Sequence, residues 1–75
     1  MTQKELLYFE DAVGHECSII SILEDTKNKL EDSNLVDFID NEITIHKNMK
    51  EELMNVLEEK TNEWSNINGK LLISS

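Results

Sequence analysis

The chain has 75 residues, sixteen Asp and Glu against seven Lys with no arginine, and a formal net charge of −9. A surplus this acidic repels phosphate backbones and anionic lipid surfaces, which argues against nucleic-acid and membrane binding. With one cysteine, Cys17, and no proline, no internal disulfide can staple so small a domain; helix packing, oligomerisation or metal must supply its stability.

The N-terminal MTQKELLYFEDAV lacks the basic start and apolar run of a signal peptide. No apolar run approaches the ~20 residues of a membrane span. These features predict a soluble chain with no cleaved signal. A first helix is expected over about 3–30. T-Q-K-E supplies a capping box, in which the Thr2 hydroxyl and the Glu5 carboxylate each satisfy an orphan backbone donor. Apolar residues then recur with helical period from Leu6 to Leu30. Gly14 interrupts them at about 1 kcal/mol relative to alanine and reads as tolerated.

The segment EDSN, Glu31 to Asn34, holds turn and capping residues. Ser33 or Asn34 is expected to cap a second helix over 34–62, with 67 as its outer limit and Asp37 adding charge near its positive end. Asn68-Gly69 is the expected stop, leaving 68–75 as a short C-terminal tail. Two long helices joined by a short turn make an antiparallel hairpin, so the fold class is all-α, with residues 1–67 as one helical domain. Because a hairpin covers only one stripe of each helix, a homodimer completing a four-helix bundle is the expected assembly.

Heptads expose polar residues on the seam. In the first helix the a row is Leu6, Val13, Ile20, Lys27 and the d row is Phe9, Glu16, Leu23, Leu30. In the second the predicted seam is Leu35, Ile39, Glu42, His46, Met49, Leu53, Val56, Lys60. Glu16, Glu42 and His46 thus interrupt apolar rows in mid-helix, and folding about the turn brings them within a turn or two of one another. A buried carboxylate needs a partner, a proton or a metal. Inward-facing carboxylates and imidazoles from two chains are the materials of a di-metal bundle site, which makes these three the candidate metal ligands, with iron, manganese or zinc as the alternative to no cofactor. The plainer readings stand beside this one. Glu16 pairs with Lys50 or a water, and His46 is a hydrogen-bonded core histidine. His15 faces solvent, Cys17 is a small buried hydrophobe, Met49 and Met54 fill the core, and Trp64 covers the open end of the bundle or a partner surface.

The stretch YFEDAVGHE, Tyr8 to Glu16, followed about thirty residues later by NEITIHKNMKEEL, resembles the small ferritin-like proteins of spore-forming bacteria, among them the spore coat protein F family. The resemblance spans roughly residues 5–58. It implies half of a ferritin-like four-helix bundle that homodimerises, located in the spore coat or cytoplasm. Carried over residue by residue, it makes Glu16 and His46 ligands. It departs at the Glu-x-x-His pair, because Ile43 stands three residues before His46 and Glu42 four before it. That departure takes away the support for an oxidase or iron-storage activity.

Three functions are consistent with these residues: a non-enzymatic, self-associating structural protein, a metal-binding ferritin-like module, and a regulatory hairpin that docks on a protein partner in a spore or cytoplasmic assembly. The third would resemble the two-helix sporulation phosphatases, but its nearest motif, Ser33 to Asp37, lies at a helix start without matching surroundings. No glycine-rich phosphate loop, Cys-x-x-Cys or nucleophile elbow supports another enzyme class.

Overall fold

In a computed structural model, which describes the backbone of residues 1–74 and the side chains of residues 1–60, the chain forms two α-helices, α1 (Gln3–Lys29) and α2 (Ser33–Ser74). They lie side by side and antiparallel in a rod of 62 × 16 × 15 Å. Among the described residues no helix is long and apolar enough to cross a membrane.

The start of α1 is set by the capping box. The Glu5 amide donates to Thr2 Oγ1 at 3.1 Å, and the Thr2 amide donates to Glu5 Oε1 at 3.2 Å. The Thr2 backbone bond, with a smaller contribution from its side chain, holds the Glu5 carboxyl below its ordinary value. Gly14 sits in regular helix, and a Cβ built there would meet nothing within 4 Å. Among the described residues nothing packs closely enough to require glycine there. At the far end the Leu30 amide returns to the Lys27 carbonyl at 3.2 Å, and extended backbone at Leu30 leads the chain away.

The cap of α2 differs from expectation. Asp32, rather than Ser33 or Asn34, occupies that place: its Oδ1 accepts from the Asn34 amide at 2.8 Å and the Leu35 amide at 3.2 Å. Its carbonyl accepts the first helical bond, from the Val36 amide at 3.0 Å. A carboxylate here satisfies two orphan donors and meets the positive end of the helix dipole, which places the charge closer than Asp37 could. The other end of α2 also differs, since the helix runs through Asn68-Gly69 to Ser74. Neither residue removes a backbone donor as proline would, and no residue among those described takes the positive φ that a glycine stop uses. The expected role of Trp64 and the side chains of the tail lie outside the described residues.

Packing of α1 follows the predicted rows: Leu6, Phe9, Val13, Glu16, Ile20, Leu23, Lys27 and Leu30 are all half-buried or buried. In α2 the seam is turned by part of a residue step. It follows Val36, Ile39, Ile43, His46, Lys50, Leu53, Leu57 and Lys60, so four of the expected positions hold and four move one residue along. Leu35, Met49 and Val56 are exposed instead, and Met54 and Cys17, read as core residues, are exposed too. The shift has a physical reason. It exchanges the Glu42 carboxylate for the Ile43 side chain at the centre of the seam, where an apolar group gains by leaving water and a carboxylate loses. Ile20 and Ile43, at 8% and 7% exposure, are the buried apolar residues of this core among those described.

The Asp32 cap makes a direct prediction. Asp32→Ala should lower stability by about 1 kcal/mol, while Ser33→Ala should change it by a few tenths at most. Chemical denaturation of both variants at one chain concentration checks this.

Candidate functional site

The polar cluster lies at the middle of the hairpin. Glu16 is the one charged residue that is buried among those described, at 9% exposure. Its position follows from the heptad, since Phe9, Glu16 and Leu23 share a row that faces α2. His46 stands across the seam, and its Nδ1 lies 2.6 Å from Glu16 Oε2. A carboxylate oxygen only accepts, so the imidazole Nδ1–H donates. This short, charge-assisted contact replaces the expected partner Lys50. No buried side-chain nitrogen or oxygen among the described residues lacks a hydrogen-bond partner.

With Nδ1 committed to Glu16, the opposite edge of the ring faces along α2. Its Nε2 lies 4.0 Å from Glu42 Oε2, one helical turn back at the i, i+4 spacing. That is beyond hydrogen-bond range, and the Glu42 side chain keeps a third of its surface in contact with solvent. The structure therefore brings all three predicted residues together, in an order the sequence did not disclose: Glu16, then the imidazole, then Glu42. Because the ring separates the two carboxylates, the three do not converge on one point. Among the described residues no group of three or more His, Cys, Asp or Glu side chains is arranged to hold a metal ion.

Chemically, the arrangement is a histidine whose orientation is set by a buried carboxylate, with its other nitrogen turned toward an accessible one. Carboxylate–histidine contacts of this kind orient metal-binding imidazoles in general. One chain offers two donors beyond that contact, His46 Nε2 and Glu42, against the four ligands usual for zinc. Bonds of about 2.1 Å at a tetrahedral angle put donors about 3.4 Å apart, so a small movement of Glu42 would bring the pair into range.

Around this cluster the hairpin is tied by ion pairs that sequence reasoning did not anticipate. Lys27 Nζ meets Asp40 Oδ1 at 2.6 Å, and Lys47 Nζ meets Glu24 Oε1 at 3.4 Å. The signal for them was present in the cross-seam register, but it could be used only once the phase of α2 was known. His15 is exposed, as expected. No family model matches the chain, and no curated protein or solved structure matches it at a significant level.

If the Glu16–His46 contact holds the centre of the seam, Glu16→Ala and His46→Ala should each cost roughly 1–3 kcal/mol, because each strands a desolvated partner. The double replacement by leucine should be close to neutral or stabilising. A double-mutant cycle by urea denaturation at fixed chain concentration decides this. Single losses that simply add would show that the two side chains do not act on each other.

Proposed function

We propose that this chain is a non-enzymatic, self-associating helical protein whose hairpin is half of a ferritin-like four-helix bundle, completed by a second copy. The observation that carries this reading is the mismatch between what the hairpin buries and what it leaves out. Ile20 and Ile43 are buried, while Ile22 at 64% exposure, Tyr8 and Phe38 at 60%, and Leu7 at 58% stand in solvent. An apolar surface of that extent on so small a chain marks an association surface. The likeness of YFEDAVGHE and NEITIHKNMKEEL to the spore coat proteins extends the proposal to a structural component of the spore coat or of a cytoplasmic assembly.

Sedimentation equilibrium tests the association directly. The mass should be twice that of the chain at micromolar concentration, and helicity should fall on dilution, because the stability of such a bundle depends on chain concentration. A folded monomer across that range would sink the proposal.

A second reading is favoured by one contact, the Glu16 carboxylate that turns His46 Nε2 toward Glu42. On that reading two chains supply two imidazoles and two Glu42 carboxylates to iron, manganese or zinc, with each Glu16 orienting its histidine. Expected from it are bound metal after growth or dialysis with each ion, measured by mass spectrometry of the folded protein, and a chelator-sensitive melting temperature. His46→Ala should abolish both. Background metal in a folded, associated wild type would leave the structural reading alone in place.

A further inference from the structure

The two broad faces of the hairpin are chemically unlike, and this difference identifies the one that packs. Residues flanking the seam on one side are Glu10, Cys17 and Glu24 of α1 and Asp40, Lys47 and Met54 of α2. Lys27–Asp40 and Lys47–Glu24 bridge the helices there, and all four side chains keep a third or more of their surface in solvent. A shallow groove on this side sets Lys47, Lys50, Glu51, Asn55 and Glu58 around Ile20 and Met54, and a second one sets Glu10 and Glu58 around Leu6, Met54 and Leu57. The charges on this face are already paired across the helices and exposed. Covering it would desolvate charges that gain little in return.

Flanking positions on the other side are Ala12, Ile19 and Thr26 of α1, and Leu35, Glu42, Met49 and Val56 of α2. In an antiparallel helix pair these two sets lie on the same face, and a groove lined by Phe9, Met49, Leu53 and Val56, with Glu52 at its edge, joins them. One position further out, Tyr8, Ile22, Phe38 and Ile45 extend the apolar surface, each more than 40% exposed. Apolar residues recur on this face at spacings of three, four or seven, interrupted by His15 in α1 and by Glu42 and Glu52 in α2, a pattern that suits packing against another helix.

Resting on the self-association proposed above, we infer that this face, which carries Ile19, Leu35, Ile45 and Met49, packs against the same face of a second copy, while the ion-paired face stays in solvent. Size and symmetry argue for a second copy. The face is about 40 Å long over the 27 residues of α1 and about 20 Å wide, roughly 800 Å² on each partner, the size of a standard specific interface. A two-fold rotation sets this face against an identical one, so each partner presents the same largely apolar surface to the other. Such a pairing also brings two copies of the mid-length Glu42–His46 edge together, which places the open side of the polar cluster inside the interface.

Matched substitutions on the two faces, read by sedimentation, test this. Ile45→Lys should weaken association roughly 100-fold or more, as a charge buried at the centre of an interface does, whereas Met54→Lys should change it less than about threefold. Because Ile45→Lys would also unfold a chain that folds only as a pair, thiol accessibility in the unaltered dimer gives an independent measure. Cys17, on the charged face, should react with a thiol reagent as fast in the dimer as in urea. A cysteine introduced by Met49→Cys, in a Cys17→Ser background, should be protected in the dimer by tenfold or more. A dimer broken by Met54→Lys and unaffected by Ile45→Lys, or one in which Cys17 is the protected thiol, overturns the choice of face and leaves self-association standing. A folded monomer at every concentration overturns both.

Discussion

Two helices laid side by side share a single seam, and everything else in this molecule follows from how little that seam can bury. A helix presents about a third of its circumference to one neighbour. With a second neighbour absent, most apolar side chains outside the seam must remain wet. The core described here is correspondingly thin, a line centred on Ile20 and Ile43. Stability per residue is marginal even in larger domains, so a rod of this kind gains much from any surface that covers its second apolar stripe.

Against that thin core, a buried carboxylate is a large local cost, offset by the imidazole across from it. The Glu16–His46 contact also bears on register. A slide of α2 by one heptad in either direction would preserve the match of apolar rows, but it would set Ile39 or Leu53 opposite Glu16. The carboxylate would then be buried with no donor. Polar pairs in helical seams select register in this way, at some expense of stability. The surface pairs Lys27–Asp40 and Lys47–Glu24 agree with the same register, though exposed pairs contribute little to stability.

The polar cluster sits where its two sides have different characters. Glu16 faces the interior of the hairpin, and Glu42 lies on the rim that borders the open apolar face. His46 connects them, with one ring nitrogen turned to each. Structure and association are therefore linked in one side chain. Whatever covers the apolar face alters the surroundings of Glu42 and, through the ring, the groups beneath it.

Much of this was legible in the residues. The T-Q-K-E capping box, the rows of α1, the turn near Asp32 and the mid-helix positions of Glu16, Glu42 and His46 all follow from local chemistry or helical period. The phase of α2 was not legible. Leu35 stands beside Val36 and Val56 beside Leu57, so two apolar stripes overlap and share Ile39, His46, Leu53 and Lys60. Either stripe alone satisfies the heptad. The cap residue was also ambiguous, because Asp32, Ser33 and Asn34 all have side-chain oxygens suited to the task.

Sequence by itself determined that there are two helices, where the first begins, and that ionisable groups occupy the middle of the pair, because these depend on neighbours within a few residues. The packed hairpin alone decided which stripe of α2 faces α1, and with it that Ile43 is buried, that Glu42 is left at the edge, and that His46 reaches Glu16 rather than Lys50. Those outcomes depend on the energy of placing one side chain against another thirty residues away. No local pattern contains that comparison.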